Sequence, residues 1–364
     1  MSNKSPILVG MDCGSGNVAT VMETNGFVQV RLTPSYVRFL PGAVKETESN
    51  CTWITKGVNG QDEAYVVQPK AVSAVDTRTP DYQLSAACRV LVVNALNDLG
   101  LSGRKVIIAD TLPANQYYDD NNAVNRHKIE LKRKSLMADV RNAKSSVASP
   151  DIVDVHIMPE AVTAYNAALY TKDGELNPLL QGARDVVIVD IGRYTNDIAH
   201  FDCETYTLYA RETTDRGAHI LLQGIRQMMI DQSDEVGIPV DKIRAMTLDD
   251  IDVIARSGYY GSPVEALKNK RIDLDHIIAA AASTYASEIK YKLGVVVPQL
   301  ASADALVIVG GGAHFIGGLM RELSSFVSDW HDNVVIPHQP ESALARGAYL
   351  ALRAMQEEEN SAKV

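Results

Sequence analysis

The chain has 364 residues, 46% of them apolar and 22% charged, with a formal net charge of −10. That composition fits a globular protein long enough for two domains, and the negative balance argues against a surface built to coat nucleic acid or an anionic membrane. No run approaches the roughly 18 apolar residues of a membrane span, and the start, Met1–Pro6, is too short and polar for a signal peptide. The four cysteines and eight histidines are scattered, with neither C-x-x-C nor H-E-x-x-H spacing. A reducing cytoplasm is therefore expected, without a disulfide framework or a protein cage around a metal.

In chain order, residues 7–12 and 17–23 read as a hairpin around Gly14-Ser15-Gly16. Phe27–Leu32 and Tyr65–Val67 read as further strands, and Gly42–Gly60 as loop and edge strand. Tyr82–Leu99 has helical spacing, with Leu84, Cys88, Leu91, Val92 and Ala95 on one face. Val106–Ala109 is a buried strand, and Asp120 or Asn121 is placed to cap a helix running through Lys134. Its basic run, Arg126–Lys134, reads first as a solvated helix face and second as a partner or phosphate contact. Ile152–Ile157 is a strand, and Met158-Pro159-Glu160 opens an Ala-rich helix.

Val186–Val189 is a buried strand that ends in Asp190, and Leu208–Glu212 is another. Arg216-Gly217-Ala218 opens an amphipathic helix, and residues 239–256 form two short helices with the acids Asp249–Asp252 as a cap. Ile272–Leu293 is a long Ala-rich helix. Ala305–Val309 is a strand that runs into Gly310-Gly311-Gly312, with a helix from about Ile316. Val334–Ile336 is the last strand and Glu341–Met355 the last helix, with a frayed tail from Gln356.

One pattern occurs twice. Ile7-Leu-Val-Gly-Met-Asp12-Cys-Gly14-Ser15-Gly16-Asn17 and Val186-Val-Ile-Val-Asp190-Ile-Gly192-Arg193-Tyr194-Thr195 both give an apolar strand, an acid, a glycine turn and a second strand. Turns of small residues present backbone N–H groups to phosphate oxygens and let the ligand approach closely. Taken alone, Gly14–Asn17 is more readily a structural turn, because the chain has 24 glycines. Neither G-x-x-x-x-G-K-[ST] nor a complete G-x-G-x-x-G is present, since Phe315 occupies the third glycine position after Gly310. The order of the blocks carries more information: a glycine turn, a Met-Pro-Glu-Ala helix start, a second glycine turn, a strand into Gly310–Gly312, then Glu341-Ser-Ala-Leu-Ala-Arg346-Gly347-Ala348.

That order resembles the actin, Hsp70 and sugar-kinase superfamily, and most closely the plasmid-segregation actin-like ATPases of the ParM type. Thr111-Leu-Pro113, Tyr117-Tyr-Asp119 with Asn121-Asn122, Val155-x-x-Met158-Pro159-Glu160 and Val307-Ile-Val-Gly-Gly-Gly-Ala313 extend the match. The resemblance implies an α/β, actin-like two-domain fold with duplicated ribonuclease-H-like cores around a nucleotide cleft. Domain I would be 1–158 and 341–364, and domain II 159–340. Gly14, Ser15, Gly16 and Asn17 would hold phosphates from one lobe, and Gly192, Arg193 and Thr195 from the other. Gly217, Gly310, Gly311 and Gly312 would lie near the nucleoside. Asp12 and Asp190 would stand near Mg²⁺ through its waters, with ATP or GTP as the nucleotide. Glu160 would orient the attacking water, so the catalytic set would be Glu160, Asp190 and Asp12.

The family's second turn is usually Gly-Gly-Thr-Thr-like, and here Arg193-Tyr194 departs from it, so Arg193 would instead reach a phosphate or a neighbouring subunit. The partners implied are further copies of the chain in a polar or antiparallel filament, and a DNA-binding adaptor on a centromere-like site. No direct nucleic-acid or membrane contact is implied. The alternative is a small-molecule, sugar-type kinase on the same fold. Cys13, beside the first turn, is expected to be shielded from alkylation by nucleotide, and its thiol to be acidified by the turn.

Overall fold

The computed structural model describes residues 5–42, 50–70, 73–298, 303–322 and 333–362. The chain opens with β1 (Ile7–Cys13), β2 (Asn17–Thr24) and β3 (Phe27–Pro34), followed by β4 (Val37–Leu40), β5 (Thr52–Lys56) and β6 (Asp62–Val67). Next come α1 (Ala86–Asp98), β7 (Lys105–Leu112), the short α2 (Ala114–Tyr117) and α3 (Arg126–Leu136). The first half ends with β8 (Val140–Asn142), β9 (Asp151–Pro159) and α4 (Glu160–Ala168). Its main sheet has the order β3-β2-β1-β7-β9, with β7 parallel to β1 and β9. A second sheet, β4-β6-β5-β8, covers the far side of α1.

The second half repeats the plan. It runs through β10 (Asp185–Ile191), β11 (Asn196–Asp202), β12 (Leu208–Thr214) and α5 (Ala218–Asp231). Three short helices follow, α6 (Ser233–Val236), α7 (Val240–Arg244) and α8 (Leu248–Ser257), then a small hairpin of β13 (Tyr259–Tyr260) and β14 (Ile272–Asp273). The chain continues with α9 (Asp275–Val296), β15 (Ala305–Val309), α10 (Ala313–Glu322), β16 (Val334–Val335) and α11 (Ala343–Ala362). The sheet order β12-β11-β10-β15-β16 matches that of the first half, strand for strand. The repeated turns are thus the visible part of a duplicated sheet, as the ribonuclease-H-like resemblance implies.

Strand alternation decides which way each turn acid points. In β1, Val9, Met11 and Cys13 pack with α1, which leaves Gly10 and Asp12 on the opposite face, toward α11. In β10, Val187, Val189 and Ile191 pack toward α5 and α9, while Val186 and Ile188 pack with α4, which puts Asp190 on the α4 side. The helices α4 and α11 cross between the two sheets, and glycine permits the close approach. A Cβ on Gly347 would lie 1.8 Å from the Thr163 carbonyl oxygen, and one on Gly10 2.1 Å from that of Ala345.

Several sequence expectations need correcting. Within 42–60 the strand β5 is internal, paired with β6 and β8, and its Trp53 is fully buried. Helix α1 is buried all round over Ala86–Leu96, because sheets cover both its faces. The cap of α3 is Asn125, whose side chain accepts from Lys128 N, and the basic face is not wholly solvated, since Lys132 has no exposure. Thr247 caps α8 in a capping box with Asp250. Ile272 belongs to β14, and the expected frayed tail is helical to Ala362. Among the described residues no helix is long and apolar enough to cross a membrane.

Candidate functional site

The two turns face each other across a cleft of about 670 Å³. Asp12, Gly14, Ser15, Gly16 and Asn17 line it from the first half, and Asp190, Gly192, Arg193 and Thr195 from the second. Glu160 at the start of α4, Gly310 and Gly311 after β15, and Leu344 of α11 complete the wall. Gly217 and Gly312 are not on the lining. A Cβ on Gly217 would lie 2.5 Å from the Tyr194 carbonyl carbon, and one on Gly312 would meet Ile191 Cγ2 at 2.2 Å. These two glycines let the second turn fold tightly. Gly310 has a φ of +83° and donates its N–H to Pro340 O at 2.9 Å, so the chain can reverse there beside Asp190.

The first turn is fixed from beneath. Asp110 and Lys132 are fully buried and 2.9 Å apart. Asp110 Oδ1 accepts the Cys13 N–H at 3.1 Å, and Lys132 Nζ donates to Gln83 Oε1 at 2.6 Å and to the Thr111 carbonyl. Gln83 Nε2 then donates to Cys13 O at 3.1 Å, so one network grips both ends of the Cys13 peptide. Thr111 Oγ1 donates to Asp12 Oδ1 at 2.8 Å. Ser35 Oγ and Thr77 Oγ1 donate to the carbonyls of Gly14 and Ser15 at 2.7 and 2.6 Å. These bonds fix the turn through its carbonyls and the Cys13 amide.

Cys13 itself corrects an expectation. Its thiol lies on the core face of β1, 3.2 Å from Cys88 Sγ and 3.4 Å from Tyr82 Oη. The neighbouring Cys88 and burial push it well above the ordinary thiol range, opposite to the expected acidification. With no exposure, it does not report on the cleft.

Four carboxylates line the cleft: Asp12, Glu160, Asp190 and Asp197. Asp197 is directly opposite Asp190 in the β10–β11 ladder, and Thr213 Oγ1 donates to it at 2.5 Å. Burial, offset in part by the Thr111 bond, raises Asp12 to about 6. Burial likewise raises Asp197 to about 6. Burial, then the neighbouring acids, holds Glu160 and Asp190 well above the carboxylate range. Among the described residues no three acidic, histidine or cysteine groups converge to hold an ion directly. Separated hard oxygen donors around a negative cleft fit a divalent cation that keeps its own waters, as Mg²⁺ does.

These acids set a pH dependence. The folded state binds protons on Asp12 and Asp197 more tightly than the unfolded chain, whose carboxylates titrate near 3.8. Their stabilising contribution is complete below about pH 4 and is lost as pH rises through about 6. The melting temperature of the nucleotide-free protein should therefore fall between pH 5.5 and 7.5. Asp197→Asn and excess Mg²⁺ should each flatten that slope. A melting temperature that rises over this interval would contradict the assignment.

At the other end of the cleft, Arg256 lies over the Phe315 ring at 5.6 Å, and its guanidinium is within 3.7 Å of a Cβ placed on Gly311. Arg256 is paired with Asp252 at 3.1 Å, and together with Phe315, Ala218 and Leu222 they line this end with both apolar and charged groups. Sequence reasoning missed Asp197, Arg256, Lys128 and Gln83 as lining residues, and Lys132 as a support. Phe315 left a mark as the residue that interrupts a glycine pattern, and Lys128 and Lys132 only as members of the basic run 126–134, whose second reading was a partner or phosphate contact.

Residues 7–171 match the family model described as "Plasmid segregation protein ParM, N-terminal". No curated protein matches in sequence. Among solved structures, Ta0583, an archaeal actin homolog, superposes with a TM-score of 0.68 at 17% identity, covering 96% of this chain and 99% of that one. A Bacillus thuringiensis ParM with ATP gives 0.63 at 16% identity, covering 97% and 100%. A 15-stranded ParM filament from Clostridium botulinum gives 0.61 at 14% identity, covering 95% and 99%. At these identities the likeness is one of fold, and the fold is actin-like through both halves.

Proposed function

We propose that the chain, whose residues 7–171 match the ParM N-terminal family model, is a ParM-type, nucleotide-dependent, filament-forming ATPase that segregates plasmid DNA. Domain I comprises 1–158 and 341–364, and domain II comprises 159–340. The observation that carries the reading is the pair of glycine turns facing each other across one cleft, with Glu160 between them. Amides of Gly14–Asn17 and Gly192–Thr195 bind the phosphates of ATP or GTP from opposite lobes. Asp12 and Asp190 hold hydrated Mg²⁺, which neutralises phosphate charge when bound. Glu160 positions the attacking water, and Gly310, Gly311 and Phe315 accept the nucleoside. Phosphoryl transfer needs mainly such positioning and charge neutralisation.

Copies of the chain assemble in the triphosphate state, in the cytoplasm, with a DNA-bound adaptor protein as the further partner. The ParM filament among the structural neighbours supports self-assembly. The test is right-angle light scattering with pelleting after addition of Mg-ATP or Mg-GTP. A nucleotide-dependent rise followed by phosphate release is expected. No rise, with turnover appearing only when small polyols or sugars are added, would replace this reading with a kinase.

A further inference from the structure

Arg193 and Tyr194 occupy the turn positions where the family pattern has glycine and threonine, and both reach across the mouth of the cleft to the first lobe. The stem of Arg193 packs on Gly16 of the opposite turn, where a Cβ would meet Arg193 Cβ at 2.4 Å and Cδ at 3.0 Å. Its guanidinium pairs with Asp249 in the first turn of α8. The same carboxylate accepts the Tyr36 hydroxyl at 2.8 Å, from the loop between β3 and β4. Tyr194 lies under Arg78 of the first lobe, 5.7 Å from guanidinium carbon to ring centroid. Arg193 Nε is buried without a hydrogen-bond partner, so the side chain has an unused donor inside the cleft. Asp249 remains 41% exposed, which makes it a partner that solvent can take over.

We propose that Arg193 is the residue by which this cleft distinguishes a nucleoside triphosphate from a diphosphate. The inference rests on the nucleotide reading above. The guanidinium is parked on Asp249, and through it on Tyr36, which ties the two lobes together at the mouth. Its stem already lies between the two phosphate turns, so a short rotation brings the guanidinium to a terminal phosphate. There it replaces a shared, exposed carboxylate with a group of higher charge, and Arg gives that group two parallel hydrogen bonds. The cleft acids repel a polyphosphate, and Arg193 supplies a compensating cation on the turn itself. Its loss should therefore weaken the triphosphate complex selectively, because a diphosphate ends short of it.

The test is calorimetric titration of the full chain with a non-hydrolysable ATP analogue and with ADP, both with Mg²⁺. Arg193→Gln should weaken the analogue by about 10–100-fold, the range of a lost charge-assisted contact, and change ADP affinity little. Arg193→Lys should fall between wild type and Arg193→Gln. Asp249→Asn, which frees the guanidinium, should strengthen analogue binding and leave ADP unchanged. Equal losses for the two nucleotides in Arg193→Gln, or none, would overturn the role of Arg193 and leave the nucleotide site standing. Wild-type protein that binds neither nucleotide would overturn both readings. Should Arg193→Gln fail to fold, the Asp249→Asn titration decides: no gain in the analogue-to-ADP ratio would overturn the proposal.

Discussion

Glu160→Ala is expected to bind Mg-triphosphate and assemble, and to release phosphate about 10²–10³-fold more slowly than wild type. Glu160 is the first residue of α4, after Pro159 with φ −74° and ψ 134°, where the helix dipole favours a negative side chain. Burial, then Asp197, Asp12 and Asp190, nevertheless pushes its carboxyl upward, so the ionised form requires cations in the cleft. Its proposed role, holding a water in line with the terminal phosphate, therefore begins only once Mg-nucleotide is bound. Removing it takes away an interaction made in the transition state and leaves ground-state binding nearly intact. The variant should form longer-lived polymer in pelleting assays. Asp12→Ala should lose polymer and turnover together, because it weakens the cation and the nucleotide at once. Glu160→Gln separates charge from hydrogen bonding: a wild-type rate would show that the negative charge is not needed, whereas a wild-type rate in Glu160→Ala would show that the water-positioning role is wrong.

Particular residues show what the sequence made legible. The duplicated acid–glycine turns were readable because both are local patterns, whereas the faces on which Asp12 and Asp190 stand follow from strand alternation in the structure. The same alternation, applied one residue further, puts Cys13 in the core; reading the turn as a unit obscured that. Asp197 has no counterpart in the first copy, where Ala19 occupies the aligned position. Its place depends on the β10–β11 ladder, which pairs it with Asp190. The basic run 126–134 looks uniform in sequence, yet Lys132 alone turns inward, because its partner Asp110 lies on a different element. Helix α1 showed an amphipathic stripe only because its flanking sheets were not visible, and β5 was hidden among polar residues although Trp53 anchors it through a 2.9 Å bond from Nε1 to Asn94 Oδ1. Local chemistry survives in a sequence, whereas partnerships between distant elements do not.

Lys132→Met should destabilise the fold by about 3–5 kcal/mol, the cost of leaving a buried charge without its partner. Burial alone would lower the ammonium's pKa, but Asp110 beside it holds the group above the usual lysine range, so it stays charged. With methionine there, Asp110 keeps its place under the first turn and loses its compensating cation. Gln83 and the Thr111 carbonyl lose a donor as well. Two consequences should separate. Global stability in urea should fall by the stated amount. Nucleotide affinity should fall further than stability accounts for at saturating folded protein, because the network grips the Cys13 peptide that sets the turn. Asp110→Asn combined with Lys132→Met removes both charges and should recover part of the stability, as a double-mutant cycle would measure. It should not recover full nucleotide affinity, since an amide cannot reproduce the charged acceptor for the Cys13 N–H. If Lys132→Met melts like wild type, the buried pair carries no weight in the fold. If it is destabilised but binds nucleotide as tightly as wild type once folded, the pair is structural and does not support the turn.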